Sequence, residues 1–208
     1  MSQLSDKASA GGAAYYLQFG GQGAPWLKEL SGYFAAGSHK KFFSVVFDAL
    51  KAERPRVEGT VGLPQGIDLE TWLRKPEGAP DEDYLGCAAV SIPMIQITQL
   101  AHFEFLTSHP GFDRTTLMAH SRGATGHSQG LIPAALVAMA HSDTEYYDHV
   151  SQFVKYLLYL GVRAQETFPY FAATEQETAD SLALESKNPA PMVAVLGETH
   201  EVVAGLVK

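Results

Sequence analysis

Five residues, Gly126-His127-Ser128-Gln129-Gly130, constrain this chain more than any other stretch. They match G-x-S-x-G, in which a serine sits on a sharp turn between a strand and a helix with its hydroxyl exposed. The turn is so tight that the flanking positions must lack side chains that would clash. The backbone N–H groups after the serine lie at a helix N-terminus and can face an oxyanion. With Gly 19 in 208 residues, chance supplies roughly 0.1 such matches, so the flanking segments matter. A strand is predicted within Thr115–Thr125, ending at Gly126, and a helix from Ser128 or Gln129 through Leu131–Ala140. The rival reading is a glycine-softened turn that carries a surface serine.

A second glycine cluster, Gly20-Gly21-Gln22-Gly23, ends a predicted strand at Ala13–Phe19. An oxyanion hole draws a second donor from a different loop. The backbone N–H of Gln22 is the candidate, beside that of Gln129. An ordinary glycine turn after an edge strand is the alternative.

Elsewhere the hydrophobic spacing predicts a helix over Ser38–Ala52, with Phe42, Phe43, Val46, Phe47 and Leu50 on one stripe and Pro55 beyond its end. Glu53–Gly86 reads as a surface excursion containing a helix at Leu69–Arg74 capped by Asp68 and anchored by Trp72, Tyr84 and Leu85. The next helix is predicted to start at Ser91, with Pro93 in its first turn and Met94, Ile97, Leu100, Ala101 and Phe103 inward. Ser142 and Glu145 have capping-box spacing, opening a helix with Tyr146, Val150, Phe153, Val154, Leu157 and Leu158 buried and Gly161 at its close. A strand at Met192–Leu196 and a helix at Glu198–Val207 follow a polar stretch. Alternating elements of this kind predict an α/β fold with a mainly parallel sheet.

Composition narrows the function. Lys+Arg 15 against Asp+Glu 23 leaves a net charge of −8, which argues against binding nucleic-acid phosphates or anionic lipid. Cys87, the single cysteine, excludes an intramolecular disulfide and a multi-cysteine zinc site. His102, His120, His141 and His149 lack ligand spacing, so no metal is expected. Residues 1–12 have no apolar h-region and read as a mobile lead-in. Leu131–Ala140 is half of the roughly 20 residues that span a bilayer. A cytoplasmic globular protein without membrane insertion is the expectation.

The motifs Phe19–Gly23 (FGGQG), Asp68–Leu73 (DLETWL), Ser91–Phe103 (SIPMIQITQLAHF), Gly123–Gly130 (GATGHSQG) and Leu160–Pro169 (LGVRAQETFP) occur in this order. Together they resemble the acyltransferase domain of fungal and related bacterial type I fatty acid synthases. They are also similar to starter-unit transacylase domains of fungal polyketide synthases. The resemblance runs from Tyr15 to about Val207. The polyketide domains often carry cysteine as nucleophile, so Ser128 is more similar to the fatty acid synthase branch.

The resemblance implies that Ser128 is acylated, that Gln22 and Gln129 offer oxyanion N–H groups, and that Gly21, Gly23, Gly126, His127 and Gly130 shape the loop and elbow. It implies a hydrolase-like parallel-sheet core over residues 13–187 and a ferredoxin-like small subdomain. Asn188–Val193 resembles the first strand of that subdomain, so residues 188–208 read as its start, cut after one βα unit. The family's general base is a histidine in a His-x-Pro-like segment beyond the subdomain, and these 208 residues contain no such segment. His200, the only histidine after His149, reads as a solvated helix start. The resemblance further implies no bound cofactor, acyl-CoA as donor, the phosphopantetheine of an acyl carrier protein as acceptor, and other synthase domains as partners.

Three functions stay open: acyl transfer through an acyl-Ser128 ester, a serine esterase or thioesterase completed by Asp180 and His200, and an architectural fragment of a larger synthase. Arg163 reads either as a partner for a carboxylate or CoA phosphate or as a helix C-terminal cation. Malonyl-type transferases resemble one another in carrying an arginine on the helix after the elbow helix. Between Glu145 and Leu160 the only cation is Lys155, so a neutral short acyl group, acetyl, is predicted.

Overall fold

Strand β1 (Tyr15–Phe19) alternates half-buried and exposed side chains up to Phe19, which is buried. It pairs in parallel with β2 (Ser121–Gly126), Tyr15 opposite Ser121 and Phe19 opposite Gly126, with an irregularity between Tyr15 and Tyr16. Parallel strands cannot be joined by a tight turn and need a crossover. Here the crossover carries six helices: α1 (Leu27–Ala36), α2 (Lys40–Val57), α3 (Leu69–Arg74), α4 (Glu82–Gly86), α5 (Ala88–Thr107) and α6 (Arg114–His120). After β2 come a 3₁₀ turn at Ser128–Gly130, α7 (Leu131–Met139) and α8 (Asp143–Thr167).

The computed structural model describes residues 14–21, 23, 26–109, 112–167, 174–185 and 197–206. Among them the sheet has two strands and helix dominates, so the mainly parallel sheet expected from the sequence is represented by this pair. The strand expected at Met192–Leu196 lies outside the described residues. The chain divides into two compact units, Met1–Thr167 and Phe168–Lys208. The second holds α9 (Glu175–Glu185) and α10 (His200–Leu206). Thr174 and Glu177 cap α9 reciprocally, Glu177 N donating to Thr174 Oγ1 at 3.2 Å and Thr174 N to Glu177 Oε2 at 2.7 Å.

In the first unit α5 is buried on nearly every side, including Val90, Met94, Ile97, Leu100 and Phe103. A helix apolar all round belongs inside a core. It runs antiparallel to α8: Phe103 packs on Tyr146 near the start of α8, and Ala88 N donates to Gln165 Oε1 near its end at 2.8 Å. α2 lies along α8, with Lys41 over the Tyr147 ring and Tyr159 Oη donating to Glu53 Oε2 at 2.8 Å. Residues 58–87 fold back as a surface excursion anchored by Trp72 and Tyr84. Tyr84 Oη donates to Gly66 O at 2.7 Å, and burial pushes its pKa up to about 12.

Several boundaries depart from the sequence expectation, each for a tertiary reason. α2 continues through Pro55 to Val57, because Arg54 bonds Glu58 at 2.8 Å and Val57 is buried. α5 begins at Ala88 rather than at Ser91, since Gln165 supplies the cap from another helix. Pro93 is therefore inside α5 and forgoes one helical bond. The strand expected within Thr115–Thr125 and ending at Gly126 is β2; ahead of it, where the sequence predicts no helix, α6 forms with Asp113 accepting from Thr116 N at 3.0 Å as its cap. α1, although Leu27, Leu30, Tyr33 and Phe34 lie at helical spacing, is not among the helices assigned from the sequence, and the five-residue α4 is too short for a period to show.

The elements that lead into the elbow are tied by a buried ion pair. The Arg114 guanidinium donates to Glu104 Oε1 at 3.0 Å and to Asp143, and stacks 3.7 Å from the Tyr146 ring centre. Burial pushes the Glu104 carboxyl up, an effect that Arg114 opposes.

Gly161 was expected to end the helix that α8 represents. Instead α8 passes through it to Thr167, and a Cβ there would lie 2.6 Å from Ala88 O and 3.1 Å from Ala89 Cα. Gly161 is thus the point where two helices approach backbone to backbone. Gly161→Ala in an open helix gains about 1 kcal/mol; here it is expected to lose about 1–3 kcal/mol through overpacking. Urea denaturation of the two proteins reads the sign.

Candidate active site

The turn after β2 brings two strand ends and a helix start to one point. Ser128 is exposed and has φ +53°, the only positive φ among the described non-glycine residues. A side chain held in the left-handed region costs on the order of 1–3 kcal/mol and persists only where its surroundings fix it. They do so through glycines. A Cβ on Gly126 would fall 2.0 Å from Gly130 C, and one on Gly130 would fall 2.4 Å from Gly20 O and 2.5 Å from Phe19 O. Each contact is with backbone, which cannot move aside. His127 N donates to Phe19 O at 2.9 Å and Gly130 N to His127 O at 2.9 Å, closing the turn onto β1.

The glycine loop after β1 lies against this turn. A Cβ on Gly21 would sit 3.2 Å from Ser128 Cβ and 2.9 Å from His127 Nδ1. Both loops therefore meet at the carboxyl edge of a parallel pair, where open α/β sheets place their ligands. Gln129 follows Ser128 within the 3₁₀ turn, half-buried. Gln22 lies outside the described residues. Gly23 is exposed with φ +106°.

Two cavities adjoin the glycine loop. One of about 280 Å³ is lined by Leu17, Phe19, Gly20, Gln99, His102 and Leu106 among others. The other, about 660 Å³ and mainly apolar, extends from Gly23 past Trp26, Leu85 and Ile95, with Lys28 and Glu82 also in its lining. His102 Nε2 is turned to Glu29 Oε1 at 2.9 Å. Gln99 Nε2 donates to Gly20 O at 2.9 Å. Neither Gln99 nor the His102–Glu29 pair was singled out from sequence, although both side chains lie in the quoted Ser91–Phe103 motif or face it. Polar residues recurring within a largely buried helix were the available signal.

Arg163 is exposed on α8 and pairs with Glu166. Its end of α8 packs on the first turn of α5, whereas Gln99 lies eleven residues along α5, about 16 Å at helical rise. It is within α8 rather than after it, so Lys155 is not the only cation of that helix. Asp180 and His200 belong to the second unit, both exposed, and Asp180 accepts from Gln176 Nε2 at 2.8 Å. Cys87 is a free thiol at the start of α5, its pKa pushed up by burial. Among the described residues no helix is long and apolar enough to cross a membrane, and no group of three His, Cys, Asp or Glu is placed to hold a metal ion.

A family profile described as "Starter unit:ACP transacylase in aflatoxin biosynthesis" matches residues 17–208. The chain belongs to that family. Its similarity extends to the fatty acid synthase subunit beta of Saccharomyces cerevisiae, 31% identical over 209 residues, covering 97% of this chain and 10% of that protein. It is 28% identical over 207 residues to the fatty acid synthase beta subunit pigK of Monascus ruber, covering 94% of this chain and 10% of that one. It is 30% identical over 196 residues to the beta subunit aflB of Emericella nidulans, covering 88% and 9%. The chain thus spans about a tenth of the length of these curated relatives.

The elbow geometry makes a direct prediction. Gly130→Ala cannot be placed without moving the Phe19–Gly20 backbone. It is expected to reduce phosphonylation of Ser128 by a fluorophosphonate probe at least about a hundred-fold, as displacement of reacting groups by about 1 Å does. Gel fluorescence against the unmodified protein measures it.

Proposed function

We propose that this transacylase-family domain carries a starter acyl group on Ser128 between coenzyme A and an acyl carrier protein. The observation that carries the reading is the positive-φ Ser128, wedged between Gly126 and Gly130 with the Gly20–Gly21 backbone against it. Such a turn has no structural use for a serine; it serves to present a hydroxyl.

In the first half-reaction the Ser128 hydroxyl gives its proton to a histidine base while Oγ attacks the thioester carbonyl. The C–S bond breaks, the CoA sulfur takes the proton, and an acyl-serine ester remains. In the second, the phosphopantetheine thiol of the carrier gives its proton to the base and attacks the ester carbonyl. A new C–S bond forms as the acyl C–O bond breaks, and Ser128 Oγ takes the proton back from the base. The oxyanion of each tetrahedral intermediate is held by the backbone N–H groups of Gln129 and Gln22, worth about 3 kcal/mol for each donor. The base is the histidine of the His-x-Pro-like segment that family resemblance puts beyond the small subdomain. No bound cofactor or metal takes part.

The further assignments rest on the same resemblance. The β1–β2 pair is the visible part of a hydrolase-like core over residues 13–187, and residues 188–208 open a ferredoxin-like subdomain. Other synthase domains are the partners, in the cytoplasm.

A neutral acyl group, acetyl, is the proposed cargo. The buried face of α8 consists of Tyr146, Val150, Val154, Leu157, Leu158, Gly161 and Val162, without a cation. Arg114 is already committed to Glu104 and Asp143, and Arg163 to Glu166. A malonyl carboxylate would be desolvated without a partner, at a cost of several kcal/mol. The native polypeptide incubated with radiolabelled acetyl-CoA is expected to take label at Ser128, with label absent from Ser128→Ala. Label surviving that substitution refutes the acyl-serine route. Equimolar acetyl-CoA and malonyl-CoA should give predominantly acetyl-serine by mass spectrometry; a malonyl preference refutes the cargo.

A further inference from the structure

We infer that Gln99 is a positioning residue that holds the Gly20–Gly21 backbone against the Ser128 elbow, an inference that rests on the acyl-serine reading and assigns a new part of its machinery. The Gly20 carbonyl is fixed from two sides. Gln99 Nε2 donates to it at 2.9 Å. The Gly130 backbone abuts it so closely that an added Cβ would stand 2.4 Å from the oxygen. The next residue, Gly21, is the one whose Cβ position is 3.2 Å from Ser128 Cβ. The side-chain bond therefore sets the height of the glycine loop over the nucleophile.

Core packing does not explain the amide. Gln99 lies between buried Thr98 and Leu100 on α5, and its Oε1 is buried with no hydrogen-bond partner among the described residues. Gln99 as a whole is half-buried, but burying an amide oxygen without a partner costs stability that methionine of similar volume would not lose. What the amide provides, and methionine would not, is the N–H aimed at Gly20 O. Helix α5 is the rigid element of the unit, so a loop tied to it is positioned more tightly than one left to its own turn.

The test uses the native polypeptide and two readouts at Ser128, phosphonylation by a fluorophosphonate and acylation by acetyl-CoA. Gln99→Met is expected to slow both by roughly ten- to a hundred-fold with the melting temperature unchanged or raised. Gln99→Glu supplies a readout that a packing role does not move. An ionised carboxylate repels Gly20 O, whereas a protonated carboxyl donates to it. The phosphonylation rate of Gln99→Glu relative to the unmodified protein is therefore expected to rise as pH falls from about 8 toward the carboxylate range of about 5. Taking the ratio cancels the titration of the base. If Gln99→Met does not fold, the pH ratio of Gln99→Glu decides alone. Unchanged rates in Gln99→Met, or a ratio flat with pH, overturn the inference. Phosphonylation without acylation of the unmodified protein refutes the transfer reading and leaves the Gln99 test intact. Failure of both reactions there overturns both.

Discussion

The contact on which the rest of this structure depends is between backbones: Gly130 resting on the carbonyls of Phe19 and Gly20. A Cβ at Gly130 would come within 2.5 Å of both oxygens. That approach closes the turn at Ser128, forces its φ to +53°, and sets the loop after β1 beside the nucleophile. Hydrogen bonding alone would not produce it, since a turn bonded only through His127 N to Phe19 O would tolerate larger residues. Sterics select glycine, and glycine in turn allows a strained, exposed serine at the turn.

A strained turn needs a stiff frame, and two strands do not make one. A sheet of two strands is marginal without something packed on it. Here α7 covers the pair, and α5 and α8 run antiparallel beneath as the thickest part of the core. The buried Glu104–Arg114 pair joins α5 to the helix that feeds β2, and Arg114 reaches on to Asp143 at the start of α8. Removing one partner of such a pair leaves an uncompensated buried charge, a larger loss than the pair's own net contribution. The cluster therefore specifies where β2 starts more than it stabilises the unit.

The elbow was legible because its chemistry leaves no freedom: Gly126, Ser128 and Gly130 sit where the pattern requires, between a strand and a helix. Helices with long apolar stripes, such as those around Phe42–Leu50 and Tyr146–Leu158, were legible for the same reason of periodicity. What escaped the sequence depends on partners distant along the chain. The cap of α5 comes from Gln165, so Ser91 looked like the better start. Gly161 looked like a stop because glycine has two uses, and only the neighbour Ala88 shows that close approach is the one in play. The short helix α6, capped by Asp113 just ahead of β2, carries too little apolar periodicity to be separated from the strand by sequence. Gln99 was hidden among apolar neighbours, since nothing local says that its amide meets a glycine carbonyl 79 residues away.

Under the proposed acyl transfer, the distribution of charge would separate the two ends of a thioester substrate. Three arginines of the first unit are held in ion pairs: Arg54 by Glu58 and Asp68, Arg74 by Glu70, Arg114 by Glu104 and Asp143. An acyl chain entering this interior meets aliphatic and aromatic surface, and a charge on it gains no partner to offset lost hydration. The larger cavity beside Gly23 differs in that Lys28 and Glu82 join Trp26, Leu27, Leu85 and Ile95 in its lining. Such apolar surface would suit the thin, uncharged pantetheine arm of the proposed substrates. Gly20 lines the smaller cavity and Gly23 the larger, so the glycine loop that abuts Ser128 borders both. On the proposed reading, a domain so arranged would select its cargo by the absence of charge at one end and meet the carrier group common to both proposed substrates at the other.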